Sequence, residues 1–343
     1  MASLYDVLII GGGAAGLMSA VRLQNRGLRI ALLERNSRIG KKLLVTGNGR
    51  CNFTNVYAGI RDYSGEDPGF ASPALESFSP DDVQSFFRTL GIEPKVETGG
   101  KVFPSSEQAG SFLDLFLLAL KEGDAQVCTD DMVLELRKKK DTFRIRTESG
   151  NTYVARNILL CTGGKAMPSS GSDGNGYALA TSFGHTLTPL IPSLVQLMLE
   201  GNYFSRIEGV KLKRRLHLGL GEEILQSEEG DVLFASYGLS GPPALQLSRL
   251  AGTLLSKKKK PWVSVSLFDD SLQGSYERLT ERFSLFPTRN VSDALIGLIH
   301  KRLIPVLLQE AQISEKNRPC ASLTKKETYE LARLLIDWRI PIR

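Results

Sequence analysis

Three glycines and one acidic residue near the amino terminus have the spacing of a nucleotide-binding turn. Gly11, Gly13 and Gly16 satisfy the pattern G-x-G-x-x-G directly after the apolar run at residues 7–10. In such a turn the first glycine permits a tight bend, the second lets the backbone approach a pyrophosphate, and the third allows a helix to pack closely on the strand. Glu34 follows Gly16 by 18 residues, close to the spacing at which a carboxylate binds the hydroxyls of an adenosine ribose. These residues predict a dinucleotide site whose acid disfavours a 2′-phosphate.

The elements that must position this turn are readable from the same stretch. An apolar run at 7–10 predicts a buried parallel strand, a helix follows over about 14–26, and a second apolar strand spans 29–33. Phosphates would bind at the start of the helix, where Ala14 and Ala15 carry amides without partners. The alternatives are an ordinary strand-to-helix turn and a solvated acid at a strand end.

A long loop at 35–55 follows the acid and is dense in glycines, amides and cations. Its Arg35, Lys41, Lys42 and Arg50 supply donors, and its glycines supply flexible backbone. An anionic pyrophosphate or the carbonyl edge of a ring requires both. A solvated loop is the alternative, although long loops inside compact domains are usually functional.

Several motifs together resemble a known family. The segments GGGAAG, ER and GKKLLVTGNGRCNFTN are similar to those of the bacterial BaiN-like (YhiN-like, aminoacetone-oxidase-like) FAD-dependent oxidoreductases. The element at 47–55 is the most specific of them, and further matches lie at 101–109, 159–177 and 237–248. The resemblance therefore extends over essentially the whole sequence.

The resemblance implies a fold and a cofactor. The fold class is α/β: a glutathione-reductase-like Rossmann FAD-binding domain with an antiparallel meander, plus a β-rich second domain that carries a helical insertion. With the glycine turn, it implies FAD held by Gly11, Gly13, Ala14, Ala15, Gly16, Glu34, Arg35, Lys41, Lys42, Gly47, Asn48, Gly49, Arg50, Cys51, Asn52, Val133, Thr162, Gly163 and Gly164.

The rest of the first domain follows from patterning. Helices are predicted at 79–90 and 108–121, and a strand at 125–129; three alternating stretches then form a meander at 133–137, 142–147 and 152–155. In the resembling proteins a residue at the start of the meander offers its backbone to adenine, and Val133 matches it; it is equally readable as a simple strand residue. A further apolar strand from residue 157 leads to the glycines at 163 and 164. Asp173 and Asn175, in the loop beyond, are readable as cofactor contacts or as solvated polar residues.

Two domains are expected, at 1–190 and 191–343. The second is a β-rich substrate or cap domain with a helical insertion at about 271–335, whose middle helix, 291–309, is kinked or divided by Pro305. A small-molecule substrate would bind in the cleft between the domains.

Two departures from the family pattern are visible. Resembling proteins continue past the equivalent of 338–341 with a strand and a glycine-rich segment that closes on the flavin, and this sequence ends at Arg343. The expectation is that this closing segment is absent, and whether the chain binds FAD fully is left open. The family also commonly has a histidine at the position of Ala235 and Ser236 in this chain. Any proton transfer by that histidine therefore cannot be carried over to this sequence.

Composition narrows the class of protein. The chain is 343 residues long, 42% hydrophobic and 23% charged, with a net charge of +6. The basic runs at 137–140, 213–215 and 257–260 are typical of hairpin loops and strand edges, and no nucleic-acid motif accompanies them. The four cysteines form no C-x-x-C pair and no metal-ligand spacing. No signal peptide or membrane span is indicated, so we expect a cytoplasmic protein without nucleic-acid, membrane or metal partners.

The chemistry expected is that of the cofactor. No triad, carboxylate pair or other catalytic constellation is evident, and the three histidines favour structural roles, so catalytic residues are left unassigned. With a single dinucleotide fingerprint, NAD(P)H would visit the flavin only as a transient electron donor. The resemblance implies hydride transfer with a small organic molecule, either reduction of a C=C bond in steroid or bile-acid-like intermediates or oxidation of an amine. The alternative is a truncated, non-catalytic dinucleotide-binding remnant; the substrate and the oligomeric state are not determined.

Overall fold

A computed structural model describes residues 4–65, 67–313 and 317–343. The chain divides into two compact units, Met1–Thr188 and Pro189–Arg343. The sequence-based boundary was placed after residue 190. Each unit contains its own six-stranded sheet, and the first also has a sheet of three short strands.

The first unit alternates strands and helices. Its strands are β1 Leu4–Ile10, β2 Ile30–Leu33, β3 Thr54–Asn55, β4 Pro94–Val96, β5 Lys101–Pro104, β6 Gln126–Cys128, β7 Val133–Lys139, β8 Thr142–Thr147 and β9 Thr152–Leu160. Its helices are α1 Ala14–Leu23, α2 Ser72–Ser77, α3 Pro80–Thr89, α4 Ala109–Glu122 and α5 Asn175–Thr181. Short 3-10 helices span Leu43–Gly49, Ile60–Asp62, Pro68–Ala71 and Pro168–Ser170.

The main sheet of the first unit has the strand order β6-β2-β1-β9-β8-β7. Strands β6, β2, β1 and β9 are parallel, whereas β7, β8 and the start of β9 form the predicted antiparallel meander. Carboxyl ends of parallel strands meet at one edge of a sheet, where ligands of open α/β folds bind. The glycine turn after β1, the acid after β2 and the loop after β9 therefore lie along the same edge.

Strand β9 replaces two strands that the sequence predicts separately. The sequence suggested one strand that ends the meander at residue 155 and another that starts at 157. The structure has one continuous strand, which pairs with β8 as far as Ala155 and with β1 from Val154 to Leu160. Because β9 pairs with β1 on one side and with β8 on the other, the meander and the parallel strands belong to one continuous sheet.

Apolar side chains cover both faces of this sheet. On one face, α1, α3 and α4 bury a cluster that includes Phe87, Phe112 and Phe116, with ring centroids of Phe87 and Phe112 4.6 Å apart. On the other, the meander contributes a smaller cluster around Ile145. Helix α3 begins as predicted, because Ser79 caps it by accepting the Asp82 N–H.

The second unit combines antiparallel strands with helices. Its strands are β10 Leu197–Met198, β11 Lys211–Leu220, β12 Glu223–Ala235, β13 Gly238–Ser240, β14 Pro261–Ser266 and β15 Trp338–Pro341. Its helices are α6 Phe204–Ile207, α7 Pro242–Ser256, α8 Leu272–Leu285, α9 Val291–Ala294, α10 Ile304–Glu310 and α11 Lys325–Ile336, with a 3-10 helix at Cys320–Ser322.

The sheet of the second unit has the order β10-β13-β12-β11-β14-β15, and all of its pairs are antiparallel. Side chains of the sheet and the helices bury one large apolar cluster. At its centre, Phe234 and Trp338 are fully buried, and their rings stack 6.0 Å apart.

The predicted middle helix of this unit is divided, as expected, but not at Pro305. Helix α9 ends at Ala294 and α10 begins only at Ile304. The division occurs before Pro305, in a segment where Gly297 has a φ of +83°, a conformation that ends a helix. Pro305 itself lies in the first turn of α10, where a missing N–H costs no hydrogen bond.

Candidate functional site

The glycine turn after β1 has the geometry that its sequence predicts. Gly11 has a φ of +104°, and a Cβ built there would lie 2.5 Å from the Cys161 carbonyl oxygen. A Cβ on Gly16 would overlap the Gly11 carbonyl oxygen, so α1 packs directly on the turn. Gly13 differs, because a Cβ there meets no atom within 4 Å. The space over Gly13 is therefore open to a ligand.

Helix α1 directs free amides at this space. Its first intrahelical hydrogen bond is donated by the Leu17 N–H to the Gly13 carbonyl, at 2.9 Å. The amides of Ala14, Ala15 and Gly16 precede that bond and have no acceptor within the helix. Gly13, Ala14 and Ala15 line the cavity beside the turn. The amides and the helix dipole favour an anion there.

The Glu34 carboxylate is held at the cavity wall. It is 8% exposed, and one oxygen accepts the Gly12 N–H at 2.8 Å. The other oxygen accepts the backbone N–H of Asn36 at 2.9 Å and its side-chain amide at 2.6 Å. A carboxylate accepts about four hydrogen bonds, so one position is free, and a second becomes available if the Asn36 side chain turns away.

A cavity of about 610 Å³ lies along the carboxyl edge of the parallel strands. Its lining includes four cationic side chains, Arg35, Arg38, Lys41 and Lys42, and only two acidic ones, Glu34 and Asp131. Both acids already accept hydrogen bonds from the protein. The surplus of positive charge favours an anionic ligand.

The loops after β9 form the opposite wall. Gly163 has a φ of +73°, and a Cβ there would lie 2.6 Å from the Ser172 hydroxyl. A Cβ on Gly176 would overlap the Thr162 hydroxyl, so α5 approaches the end of β9 as closely as α1 approaches the glycine turn. Thr162 and Gly163 line the cavity, whereas Gly164 lies outside its lining.

The cationic loop after Glu34 is only partly at the cavity. Lys41, Lys42 and Thr46 line it, and Lys42 Nζ donates to the Ala166 carbonyl at 2.7 Å. Six predicted contacts lie outside the lining: Gly47, Asn48, Gly49, Arg50, Cys51 and Asn52.

That second half of the loop packs within the protein instead. The Arg50 guanidinium pairs with Glu97 at 2.8 Å and stacks 4.0 Å from the Phe103 ring centre. Cys51 is buried, and burial raises the pKa of its thiol. The sequence pattern of this motif thus reflects attachment of the loop to the three-stranded sheet, in addition to the cations that its first half presents to the cavity.

Val133 lies where a strand enters the meander, at the cavity wall. It lines the cavity with Asp131 and Met132, which precede it. The Asp131 side chain accepts hydrogen bonds from Ser149 and Tyr153 in the turn and strand that follow β8. These contacts join residues that the sequence separates by about twenty positions.

Several lining residues were missed from the sequence. Asn36 and Arg38 belong to the singled-out loop at 35–55, and Ser172 and Tyr177 belong to the family motif at 159–177. The sequence pointed to these two segments as functional, but it did not identify these residues within them. No sequence signal pointed to Asp131, because its partners are distant in sequence.

Polar contacts also define the loop near Asp173. Arg35 donates to the Asp173 carboxylate at 2.7 Å and to the Gly171 carbonyl at 3.3 Å, and the Arg35 guanidinium lowers the pKa of Asp173. Arg35 is therefore partly neutralised, which leaves Arg38, Lys41 and Lys42 as the main cations for a ligand.

Candidate catalytic groups are sparse among the residues that the structure describes. His185 and His300 are exposed, His217 bonds Ser227 at 2.7 Å, and all three lie outside the cavity lining. Burial lowers the pKa of His217. Within 4–65, 67–313 and 317–343, no cluster of residues suits a metal ion. None of the helices in those ranges is long and apolar enough to cross a bilayer.

Comparison with known proteins adds to this geometry. Residues 5–314 match the family model described as "HI0933-like protein Rossmann domain". The chain is 36% identical over 329 residues to the 3-dehydro-bile acid delta(4,6)-reductase of Clostridium scindens, covering 95% of this chain and 80% of the relative.

Two more distant relatives carry a different name. The ribosomal RNA dihydrouridine synthase of Escherichia coli is 28% identical over 346 residues, with 98% of this chain and 81% of that protein covered. Its namesake from Haemophilus influenzae is 23% identical over 343 residues, covering 98% and 82%.

Proposed function

The chain belongs to the HI0933-like family, and from this membership we propose that it is an FAD-dependent reductase of a C=C bond conjugated to a carbonyl group. The family and the α/β Rossmann-type fold class are those that the motifs predicted. The substrate we propose is a small organic molecule of the steroid or bile-acid kind. NAD(P)H is proposed as the transient electron donor.

The relatives support this reaction class. One is named as a reductase of a 3-dehydro bile acid with delta(4,6) unsaturation, and the others as synthases of dihydrouridine. Both names describe saturation of a C=C bond that is conjugated to a carbonyl group. The carbonyl withdraws electrons from the C=C bond, so that its β-carbon accepts hydride. FAD, when bound, would supply that hydride after reduction by NAD(P)H. Amine oxidation, the other reaction considered from the sequence, finds no support in these names.

The observation that carries the proposal is the open space over Gly13 in a cavity with surplus positive charge. Amides of α1 would hold the pyrophosphate, Glu34 the adenosine ribose and the Val133 backbone the adenine. Lys41 and Lys42 would offset the phosphate charge. The loop at 162–163 would contact the rest of the cofactor. Donor types and free space both fit a dinucleotide.

Reduction of a uracil ring in RNA is a second candidate, favoured by the names of the two more distant relatives. On the basic strand β11, Lys211 pairs with Asp231 at 2.8 Å and Arg215 with Glu229 at 3.0 Å, so part of its positive charge is offset by β12. The lysines at 257–260 are exposed. We rank the small-molecule substrate first, because the bile-acid reductase is 36% identical to this chain and the two dihydrouridine synthases are 28% and 23% identical. We propose neither a nucleic-acid nor a membrane partner. The proposed location is the cytoplasm, in keeping with four free cysteines.

The test begins with the purified chain. A flavin absorbance spectrum, release of FAD on denaturation and anaerobic bleaching by NADPH or NADH are expected. The reduced protein is then mixed with the 3-dehydro-delta(4,6) bile acid or with unmodified ribosomal RNA, and the product is examined by mass spectrometry for a gain of two hydrogens. Gain on the bile acid supports the proposal, and gain only on RNA supports the second candidate. A folded protein that takes up no flavin would instead favour the non-catalytic remnant.

A further inference from the structure

Asp131 is a buried acid with a special set of partners. It is 3% exposed and lies between β6 and β7 at the wall of the cavity. Its carboxylate accepts from the Ser149 hydroxyl at 2.5 Å, the Tyr153 hydroxyl at 2.6 Å and the Asn151 amide at 3.2 Å. Among the described residues, no lysine or arginine forms an ion pair with it. Its charge is stabilised by neutral donors alone.

All of these donors come from one short segment. Residues 149, 151 and 153 alternate along the turn and the strand that follow β8, and the Thr147 hydroxyl extends the set by contacting Ser149 at 3.1 Å. A buried carboxylate is costly unless several donors satisfy it. Ser149 and Asn151 lie in the turn and Tyr153 lies in β9, and because all three donate to one carboxylate, Asp131 joins the turn to the strand.

The backbone around Asp131 is hydrogen-bonded on its other side to the segment that follows β2. The Asp131 N–H donates to the Glu34 carbonyl at 3.0 Å, and the Asp130 N–H donates to the Asn36 carbonyl at 3.0 Å. Asp130 has a φ of +54°, which is unfavourable for a residue with a side chain. The conformation of this segment is unfavourable by itself, and hydrogen bonds on both sides hold it in place.

This segment connects two contacts of the proposed dinucleotide site. Glu34, the proposed ribose contact, and Val133, the proposed adenine contact two residues after Asp131, both line the cavity. The Asp131 carboxylate accepts from the β8–β9 turn and from β9, and the N–H of the same residue donates to the carbonyl of Glu34, the proposed ribose contact. Asp131 therefore links the segments that carry the two proposed contacts.

We propose that Asp131 is a positioning residue for the adenosine half of the dinucleotide, holding the Met132–Val133 backbone where it selects adenine. The proposal rests on the proposed function, because it requires that a dinucleotide occupies the cavity. A merely structural acid would affect all ligands equally, whereas a residue that positions the adenine contact changes the preference between bases.

The test uses Asp131→Asn in the full chain. The amide has the shape of the acid but no charge, and only one of its two end atoms accepts, so the charge-assisted hydrogen bonds from Ser149, Asn151 and Tyr153 are weakened or lost. We expect the Kd for FAD, from titration of flavin fluorescence, to rise about tenfold. We expect ADP to lose most of its preference over GDP when the two compete with FAD. Asp141→Asn, in the exposed turn between β7 and β8, is the matched control and should match wild type.

Tyr153→Phe supplies a second measurement, because it removes one donor and keeps the ring. The variant should raise the Kd for FAD about threefold and reduce the preference for ADP over GDP. It provides the test if Asp131→Asn does not fold. An unchanged Kd in the folded variants, or weaker FAD binding with an unchanged preference for ADP over GDP, would overturn the role of Asp131. Wild-type protein without FAD affinity would overturn the proposed function as well, so the two failures are distinguishable.

Discussion

Around the glycine turn of the first unit, backbone segments contact each other directly, because glycine has no side chain to separate them. In the second unit, large aromatic side chains pack against the sheet. Gly11 and Gly16 allow close backbone approach beside an open cavity. Phe234 and Trp338 are fully buried in a continuous apolar cluster. The first region has an open cavity, and the second is filled by apolar side chains whose burial stabilises the fold.

This contrast separates two kinds of mutational effect. In a filled core, removing atoms leaves a cavity and lowers the free energy of unfolding. At an open site, adding atoms need not disturb the fold, yet it removes the room that a ligand needs. The variants below test whether stability and ligand binding are separable in this way.

The largest expected effect is on stability, from Phe234→Ala. Loss of the buried ring should lower the free energy of unfolding by about 3 to 5 kcal/mol, measured by urea denaturation. The Kd for FAD, measured well below the unfolding transition, should stay at its wild-type value. Phe70→Ala is the matched control, since Phe70 is 86% exposed and its loss should cost less than about 0.5 kcal/mol. A folded Phe234→Ala protein with weakened FAD binding and wild-type stability would break the contrast.

The next effect is on binding, from Gly13→Val. Gly13 has an extended backbone, with φ of −81°, and its Cβ would meet no protein atom, so the variant should fold. The added side chain would occupy the pyrophosphate position and raise the Kd for FAD at least about 100-fold, or about 2.7 kcal/mol.

Gly59→Val is the control for Gly13→Val. Gly59 also has an extended backbone with open space around its Cβ position, but it lies outside the cavity lining. Both variants should keep the wild-type Tm, and only the first should lose FAD. Normal flavin uptake by a folded Gly13→Val protein would contradict the placement of the pyrophosphate.

The smallest effect is expected from Glu34→Ala, which removes one acceptor from the ribose position. Loss of charge-assisted hydrogen bonds should weaken FAD binding by about 1 to 3 kcal/mol, measured by fluorescence titration. Because Glu34 also accepts the Gly12 N–H, a drop in Tm should accompany the change. Glu34→Gln, which keeps an oxygen for that amide, should recover the Tm better than the affinity. Equal affinity in all three proteins would show that Glu34 does not contact the ribose.

Much of the first unit follows from local patterns. The strand, glycine turn and helix lie within one short stretch, so their geometry depends on neighbouring residues and on the φ angles that glycine allows. The capping of α3 by Ser79 is local for the same reason. By contrast, α9 and α10 carried one helical periodicity in sequence but are separate in the structure, because a glycine with positive φ lies between them.

The cationic loop shows the limit of motif reading. Lys41 and Lys42 reach the cavity, while Arg50 turns to Glu97 and Phe103. Each is a cation in the same glycine-rich motif, and nothing in their own positions distinguishes them. The difference arises from the strands that pack beside the loop, which sequence patterning did not join to it.

By itself, the sequence determined the glycine turn, the acid that follows it, the meander and the family to which the chain belongs, because each depends on residue types at short, fixed spacings. Only the tertiary structure decided that β9 is one strand shared by the meander and the parallel sheet, that half of the cationic loop faces away from the cavity, and that Asp131 gathers the turn after β8. Those features depend on contacts between distant segments, whose pairing follows from how the whole unit packs and not from any local preference of the chain.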